Sequence, residues 1–439
     1  MIKRRQFMGI LSGSALGLLL PGRVHAQDGE TVGSLAAPVV PGPTGAVGRV
    51  VVVGGGMAGA TVAKFLRLWG GSEVQVTLVE RNSNYPSSIL SNLVLNGSTT
   101  MNQITFNFNA LAQNYGVNVV RGEVGMIDKA AKMVTVGNAT LPYDRLILAP
   151  GIELDYSSLP GLAGLPPSQL PLHAWIGGPQ TTALRNQLVA MPRGQNVIIT
   201  VPPAPFRCPP GPYERACVIA DWLRRNRRGG RVIVLDANPA IVAEAETFNE
   251  AFTQIHAGFI EYHPGVVITN INPVARTVTT QSHGTFAAGV LNVIPPQRAG
   301  KVVTDAGLVP PGGTRAPVNV LTYESTMAPA IHVLGDSALA PLQPMAGHLA
   351  NQEAKVCADA IVRMLSGRAV DPAPLTNSAC FSPITQGTAS WLSVVFTYNP
   401  GTGRMEPVPA SVAEARDIKS DHYEKMFKWF GNLMADSFG

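Results

Sequence analysis

A glycine-rich turn between a buried strand and a helix is the feature that most limits the folds open to this chain. The strand pattern of Arg49 to Val53 leads into Gly54-Gly55-Gly56-Met57-Ala58-Gly59, and Ala60 to Trp69 follows with apolar side chains at helical spacing. A second strand, Val74 to Glu80, ends in an acid. Such glycines let backbone amides at a helix N-terminus approach a pyrophosphate, and the acid can accept both ribose hydroxyls. The pattern predicts a dinucleotide-binding βαβ unit that uses Gly54, Gly56, Gly59 and Glu80.

A second motif, late in the chain, selects the cofactor. Ile331 to Leu334 has the pattern of a strand and runs into Gly335 and Asp336, with a helix expected from about Asn351 to Leu365. In two-domain flavoproteins an Asp at this place hydrogen-bonds the ribityl chain, and the following helix directs its positive N-terminus at the flavin. NAD-binding folds have no use for this motif. The two motifs together predict FAD.

Between these motifs lies a second α/β unit that lacks a phosphate-binding turn. Its predicted strand, Asn196 to Val201, runs into a proline-rich loop from Pro202 to Pro212, and no later Gly-x-Gly-x-x-Gly occurs. Prolines have no N–H to offer a pyrophosphate. We interpret this unit as a former nucleotide site converted to a rigid loop, and we expect no oxidation of NADH.

These segments predict an α/β fold with two Rossmann-like domains and a small C-terminal interface region. Residues 47–158 and 300–368 form the predicted FAD-binding domain, and residues 159–299 form the degenerate nucleotide-binding domain. Residues 369–439 form the C-terminal region, with a strand pattern near Trp391 and an aromatic terminal helix. A chain of 439 residues is long enough for these domains and for a large buried cofactor.

The first 26 residues are typical of an export signal of the twin-arginine type. Lys3-Arg4-Arg5 is a basic head, Gly9 to Leu20 is apolar, and Val24-His25-Ala26 is a small-residue cleavage site. The apolar stretch is shorter than the ~20 residues that span a bilayer, which favours removal of the segment over a retained membrane anchor. We expect a periplasmic protein with a leader at residues 27–46 ahead of the fold.

The sequence argues against nucleic acid as a partner and against a bound metal ion or a covalent haem. The formal net charge is +5, and four positive residues without any acid lie in the export segment, so the mature chain is near +1. Nucleic acid is therefore not expected as a partner. The histidines show no metal-ligand spacing, and the sequence contains no Cys-x-x-Cys-His motif for covalent haem.

The four cysteines allow three full disulfide pairings. Cys217 and Cys357 fall on apolar stripes of predicted helices, which is typical of small buried hydrophobic residues. Cys208 and Cys380 are expected in loops and remain a candidate redox pair, with a structural disulfide as the alternative. Cys208 precedes a helix N-terminus, whose partial positive charge is expected to favour the thiolate.

Glu214 lies six residues after Cys208, in the first turn of a helix predicted from Pro212 to Arg225. Its carboxylate can accept a proton in the site, or it can simply complement the positive end of the helix dipole. The sequence leaves both interpretations open.

The chain resembles the flavoprotein subunit of flavocytochrome c sulfide dehydrogenase, a relative of the sulfide:quinone reductases, from Arg49 to Gly439. The segments that carry the resemblance are His173-Ala174-Trp175, the proline-cysteine loop with its helix start from Phe206 to Ala216, Asn377 to Ser382, and Trp429 to Gly439. The resemblance implies that sulfide is the substrate and that electrons pass from FAD to a separate c-type cytochrome subunit.

The resemblance also implies roles for individual residues. Cys208 and Cys380 would form a disulfide beside the flavin, Glu214 would lie in the sulfide pocket, and Trp429 would lie near the flavin on the haem side. Asn92 and Val124 complete the set of residues expected to bind FAD.

Two departures from the family pattern affect the flavin. Ser88 stands where the family has the cysteine that attaches the flavin covalently, so we expect non-covalent FAD. The segment Pro344 to His348 is shorter than the family's and lacks its lysine near the flavin. Both changes alter the electronic surroundings of the ring.

Two alternative functions remain open. The chain can be a sulfide:quinone reductase whose terminal apolar residues enter a membrane interface; those residues are Phe427, Trp429, Phe430 and Leu433. It can also be an accessory flavoprotein of a sulfur-oxidising complex that does not itself turn over sulfide.

Overall fold

The computed structural model describes residues 40–439. The predicted export signal at residues 1–26 and the leader up to residue 39 lie outside the described residues. The described part of the chain clusters into a single compact unit. The domain boundaries drawn from the sequence therefore stay a prediction.

The N-terminal part begins with the predicted βαβ unit. Its elements are β1 (Gly48–Val53), α1 (Met57–Gly70), β2 (Val74–Glu80), β3 (Asn84–Pro86), α2 (Asn92–Asn96), β4 (Thr105–Asn107), α3 (Asn109–Tyr115), β5 (Asn118–Arg121), β6 (Val124–Asp128), β7 (Met133–Val136), β8 (Ala139–Pro142), β9 (Arg145–Leu148) and β10 (Ile152–Leu154).

The middle part contains the second α/β unit. Its elements are α4 (Pro179–Ala190), β11 (Val197–Val201), α5 (Gly211–Arg225), β12 (Val232–Asp236), α6 (Ala245–Glu250), β13 (Ile260–His263), β14 (Ile268–Asn272), β15 (Thr277–Thr280), β16 (Gly284–Ala287), β17 (Val290–Val293) and β18 (Gln297–Ala299).

The remaining elements return to the first sheet and then form the C-terminal region. They are α7 (Lys301–Asp305), β19 (Ala316–Asn319), β20 (Glu324–Ser325), β21 (Ile331–Val333), β22 (Ala338–Leu339), α8 (Gly347–Leu365), β23 (Leu375–Thr385), β24 (Thr388–Asn399), β25 (Arg404–Pro407), β26 (Ala413–Glu414) and α9 (Ser420–Phe438).

Two sheets, one mixed and one fully parallel, organise these elements. The larger has the order β22-β19-β20-β21-β9-β1-β2-β5, with β21, β9, β1, β2 and β5 mutually parallel. The second has the order β13-β12-β11-β17, with every pair parallel. Strands such as Val50 to Val53 and Val197 to Val201 are buried along their length, which is the pattern of parallel strands covered on both faces. Ligands bind such sheets at the carboxyl ends of their strands.

The C-terminal sheet changes one expectation. Cys380, predicted to lie in a loop, lies in the strand β23, which pairs antiparallel with β24. From Thr376 to Ser382 the inward side chains of this strand are hydroxyl and thiol groups, so this stretch lacks the alternation of apolar residues that marks a strand in sequence. These side chains belong to Thr376, Ser378, Cys380 and Ser382.

Candidate functional site

A cavity of about 1380 Å³ lies at the carboxyl ends of β1, β2, β9 and β21. This volume exceeds the ~300–1,000 Å³ typical of small-molecule pockets. The cavity is lined by most of the residues that the sequence predicts for the site: Gly54, Gly56, Glu80, Asn92, Val124, Cys208, Glu214, Gly335, Asp336, Cys380 and Trp429. Among the predicted site residues Gly59 does not line the cavity, because it lies beneath the turn.

The glycine turn needs its glycines for two different reasons. Gly54 has a φ of +98°, and a Cβ at Gly59 would lie 1.7 Å from the carbonyl oxygen of Gly54. At Gly56 the nearest atom to a Cβ is 3.8 Å away, on Tyr85. Gly54 and Gly59 therefore allow the turn to close, while Gly56 leaves open space above the N-terminus of α1.

Glu80 is fixed at the end of β2 by three hydrogen bonds. Its Oε2 accepts one of 2.7 Å from the Gly55 N–H, and its Oε1 accepts bonds of 2.8 and 2.9 Å from the backbone and side chain of Asn82. The carboxylate therefore stands over the glycine turn at the cavity wall, where the sequence predicts a ribose-binding acid.

The Gly335-Asp336 turn lines the same cavity, and a Cβ at Gly335 would lie 3.6 Å from the Cβ of Ala58 in the glycine turn. Gly335 adopts a φ of +64°, and its N–H donates a 2.9 Å hydrogen bond to Oε2 of Glu353 on α8. Asp336 lies 3.8 Å from the guanidinium of Arg207, and burial raises the pKa of its carboxyl. Arg207 belongs to the proline-cysteine loop, so this contact ties that loop to the turn.

The N-terminus of α8 faces the cavity through Gly347 and His348. Nδ1 of His348 lies 2.9 Å from the N–H of Ala379 and accepts its hydrogen bond, which leaves the proton of a neutral ring on Nε2. The ring meets Trp429 edge-on at 6.0 Å between centroids. Trp429 also lies 5.5 Å from the ring of Phe381, and its indole N–H has no protein partner among the described residues.

These features fit FAD. The cavity joins a turn with room for a pyrophosphate, an acid placed for ribose, the Gly335-Asp336 turn and a second helix N-terminus. Helix N-termini favour negatively charged groups such as phosphate or a reduced flavin ring. Gly54, Gly56 and Glu80 would hold the nucleotide half of the cofactor, and Asp336 with the start of α8 would hold the flavin half.

Cys208 and Cys380 face the same cavity, and all four cysteines of the described chain are free thiols in this structure. Burial, together with the negative charge of Glu214, raises the pKa of Cys208 to about 12. The expectation that the helix N-terminus favours the Cys208 thiolate is therefore wrong for this state, because the pKa is raised and burial is the largest cause. Burial also raises the pKa of Cys380 well above its usual value, with a contribution from Cys208.

Glu214 is held by a buried network that begins at α2. Asn92 donates a hydrogen bond of 2.9 Å to Oε1 of Glu214 and accepts one of 2.9 Å from Nε of Arg215. Arg215 is 1% exposed and also bonds the carbonyl oxygens of His173 and Ala174. Burial raises the pKa of Glu214 to about 8. A carboxyl group with such a pKa is suited to proton exchange near neutral pH.

Ser88, at the family's attachment position, lines the cavity and is engaged in hydrogen bonds. Its hydroxyl oxygen accepts a 3.0 Å bond from the N–H of Gly177 and lies 3.4 Å from Nη2 of Arg207. The same guanidinium contacts the carbonyl oxygen of Trp175. The hydroxyl thus bridges two loops of the cavity wall.

The second α/β unit has an acid at the place where a nucleotide site would bind ribose. Asp236 ends β12 and is fully buried, and its Oδ2 accepts hydrogen bonds of 2.7 Å from Tyr213 and 2.9 Å from Tyr262. Its Oδ1 accepts bonds from the backbone and side chain of Asn238. The oxygens that would receive ribose hydroxyls are already occupied by protein.

Several site residues were not singled out from the sequence. Arg207, His348 and Arg215 all line the cavity. Arg207 directly precedes Cys208, and Arg215 directly follows Glu214. Their position next to two predicted site residues could have indicated that they belong to the site. His348 follows the Gly335-Asp336 turn by a dozen residues and carries no local sign of its role.

No helix within residues 40–439 is long and apolar enough to cross a membrane. Within the same range no cluster of His, Cys, Asp or Glu side chains is placed to hold a metal ion.

Two family models match the chain. Residues 181–295 match the central part of the sulfide dehydrogenase (flavocytochrome c) flavoprotein chain, and residues 48–194 match the pyridine nucleotide-disulphide oxidoreductases. These matches confirm the resemblance drawn from the sequence motifs. They also confirm the predicted α/β fold with two nucleotide-binding-type domains, characteristic of FAD-dependent oxidoreductases.

Known structures share this fold at low sequence identity. The sulfide:quinone oxidoreductase of Aquifex aeolicus matches with a TM-score of 0.69 and 17% identity, over 89% of this chain and 91% of that chain. A NAD-dependent persulfide reductase from A. fulgidus matches with a TM-score of 0.59 and 13% identity, over 88% and 77% of the two chains.

A curated relative matches over a shorter segment. A type II NADH:quinone oxidoreductase of Staphylococcus saprophyticus is 25% identical over 115 residues, which are 26% of this chain and 29% of that protein. The match thus spans less than a third of the relative's length.

Proposed function

We propose that this chain is an FAD-dependent sulfide dehydrogenase that passes electrons from sulfide through Cys208, Cys380 and FAD to a separate c-type cytochrome. The observation that carries the proposal is the convergence of both cysteines, Glu214 and the FAD-binding residues on one cavity. Sulfide would attack a Cys208–Cys380 disulfide by thiol exchange, leaving a persulfide and a thiolate. Bound FAD would supply two-electron acceptance from sulfur and one-electron release to haem.

The protein residues supply the proton chemistry and the orientation of this site. Glu214, held by Asn92, is placed to exchange protons beside Cys208, whose pKa its charge raises. Arg207 connects the cysteine loop to Asp336, so the sulfur and the flavin half of the cavity are held by one loop. Stopped-flow mixing with sulfide tests the proposal: rapid bleaching of the flavin supports it, and a flavin that stays oxidised favours an accessory role.

A sulfide:quinone reductase is the second candidate, and the fold of the Aquifex aeolicus enzyme is the observation that favours it. Two of the four residues expected at a membrane interface are buried and do not fit this role. Phe430 and Leu433 are 8% and 5% exposed and pack into the core, while Phe427 is 39% exposed. A comparison of cytochrome c and a soluble quinone as acceptors separates the two functions.

Three further properties belong to the proposal. The FAD is bound without a covalent link, because a serine occupies the attachment position. NADH is not a donor, because Asp236 is occupied by Tyr213 and Tyr262. The protein is exported to the periplasm with loss of residues 1–26, which N-terminal sequencing near Gln27 would test.

A further inference from the structure

A second buried carboxyl group, Glu244, does not line the cavity and has no part in the proposed mechanism. It is 2% exposed and directly precedes α6, in a left-handed backbone conformation with a φ of +51°. Its Oε2 accepts a hydrogen bond from the hydroxyl of Ser382, while its Oε1 has no partner among the described residues. A buried carboxyl group without a cation or a full set of donors is costly, and such groups cluster at functional sites.

The strand β23 connects this group to the cysteine pair. Ser382 follows Cys380 by two residues, so both side chains project from the same face of the strand. On the neighbouring strand Ser390 pairs with Ser382, and its hydroxyl lies 3.4 Å from that of Thr247 on α6. The result is a stripe of hydroxyl groups that begins at Cys380 and surrounds Glu244.

The electrostatics identify which cysteine Glu244 serves. After burial and Cys208, the largest influence raising the pKa of Cys380 is Glu244, ahead of Glu214. The carboxylate that most raises the pKa of Cys208 is Glu214, and Glu244 makes no contribution there. Glu214 therefore acts on both thiols, whereas Glu244 acts on Cys380 and not on Cys208.

We infer that Glu244 is the proton acceptor for the Cys380 side of the pair and carries that proton from the cavity toward the protein surface. The inference rests on the proposed function. The step concerned is the closing of the disulfide from the free thiols of this structure, which precedes attack by sulfide. Two S–H bonds would break and one S–S bond would form. Bound FAD would accept the electron pair and one proton, and the carboxylate of Glu244 would accept the second proton.

The surroundings of Glu244 suit reversible protonation. The ionisable groups that face it are Glu214 and Cys217 of α5, Cys380 of β23 and Glu414 of β26. None is a cation. Burial raises the pKa of Glu244 to about 7, with Ser382 and Ser390 opposing and Glu414 adding to the rise. Glu414 is exposed on β26, where it pairs with Leu392 of β24, two residues beyond Ser390. It would form the solvent-exposed end of the route by which the proton leaves Glu244.

Alkylation of the reduced, flavin-bound protein by iodoacetamide tests the assignment without sulfide. The rates at Cys208 and Cys380 are measured by peptide mapping from about pH 6 to pH 10, spanning the pKa of about 7 for Glu244. In Glu244→Gln the amide can still accept from Ser382 but carries no charge. We expect about a three- to tenfold faster reaction of Cys380 above pH 8, because a nearby negative charge no longer opposes its thiolate.

The matched control is Glu246→Gln, which removes an exposed carboxylate two residues away and is expected to behave as wild type. Cys208 should react at the wild-type rate in both variants. An unchanged rate at Cys380, or equal acceleration of both cysteines, would overturn the inference.

Stopped-flow reduction of the flavin by sulfide supplies the second measurement. Glu244→Gln should reduce the flavin about tenfold more slowly than wild type at neutral pH and lose the ionisation near pH 7 from its pH profile. A wild-type pH profile in the variant contradicts the relay. If wild type itself is not reduced by sulfide, the proposed function fails, and the alkylation result still decides whether the charge of Glu244 acts on Cys380.

Discussion

The side-chain amide of Asn92 donates a hydrogen bond of 2.9 Å to Oε1 of Glu214 across 122 residues of sequence. This contact joins the start of α2 to the first turn of α5, and both ends lie in the cavity wall. It also compensates only part of the burial of Glu214, whose pKa stays raised to about 8. The site therefore keeps a carboxyl group that the fold alone does not favour in its charged form.

The first prediction concerns how the ionisation of Glu214 changes stability with pH. Its pKa in the folded state is raised above the unfolded value of 4.5, so folding favours the protonated carboxyl group. The stability that this preference provides is complete below about pH 4.5 and is lost as the pH rises to about 8. Glu214→Gln keeps an acceptor for Asn92 and carries no charge. The variant should match wild type at pH 4.5 and exceed its free energy of unfolding by a few kcal/mol above pH 8. Thermal denaturation across this pH range measures the difference, and a constant offset at all pH values would contradict it.

The second prediction concerns the glycine turn. Gly59→Ala should abolish FAD binding, because its Cβ would lie 1.7 Å from the Gly54 carbonyl oxygen and force the turn open. Gly431→Ala on α9 is the control, since its Cβ meets no atom within 4 Å. The ratio of flavin absorbance to protein in the purified variants reports the outcome. Full flavin occupancy in Gly59→Ala would show that the turn does not carry the cofactor.

Local motifs predicted the part of the site that depends on short stretches of chain. The glycine turn and Glu80 belong to one βαβ unit, and Asp336 follows its strand directly, so a few residues carry the whole pattern. The same holds for Glu214, six residues from Cys208. Such features follow from backbone geometry that neighbouring residues determine.

Contacts between distant segments were not predictable in this way. Glu244 and Ser382 are 138 residues apart, and neither stands in a recognisable motif. Cys380 was assigned to a loop because its strand buries hydroxyl groups instead of apolar side chains. The sequence also did not predict that the pKa of Cys208 is raised. This rise depends on burial by distant residues such as Met345, whose carbonyl oxygen accepts a hydrogen bond from the Cys208 N–H.

The third prediction is that FAD is released by denaturation. Ser88 offers a hydroxyl that already contacts Gly177 and Arg207, and no thiol stands at this position. Precipitation with acid should leave the yellow colour in the supernatant. Colour retained in the pellet would mean that another residue makes a covalent bond to the flavin.

The fourth prediction is that NADH does not bleach the flavin. The reason is that Tyr213 and Tyr262 donate hydrogen bonds to Asp236, and these bonds are expected to stabilise the second α/β unit. Tyr213→Phe removes the 2.7 Å hydrogen bond to a fully buried carboxyl group and should lower the free energy of unfolding by about 1.5–3 kcal/mol. Urea denaturation measures this cost. Tyr398→Phe, on the C-terminal strand β24, provides a control outside this cluster. Rapid reduction of wild type by NADH would refute the interpretation of the unit as a former nucleotide site.

The fifth prediction separates a redox role of the cysteine pair from a structural one. Cys208→Ser and Cys380→Ser should each retain FAD and lose flavin reduction by sulfide, because neither variant can form the disulfide that sulfide attacks. Cys217→Ser is the matched control, since Cys217 is fully buried on the same helix that follows Cys208. In folded Cys217→Ser, sulfide should reduce the flavin at the wild-type rate.

A purely structural bridge gives the opposite pattern. A disulfide that closes a loop of about 170 residues can stabilise a fold by ~5 kcal/mol, so its loss would lower stability and leave sulfide reduction intact in the folded protein. Peptide mapping of the air-oxidised protein gives an independent result, because the mechanism requires Cys208 and Cys380 in one linked peptide. A linkage of Cys208 to Cys217 or Cys357 instead would refute it, since both of those thiols are fully buried in core clusters and neither lines the cavity.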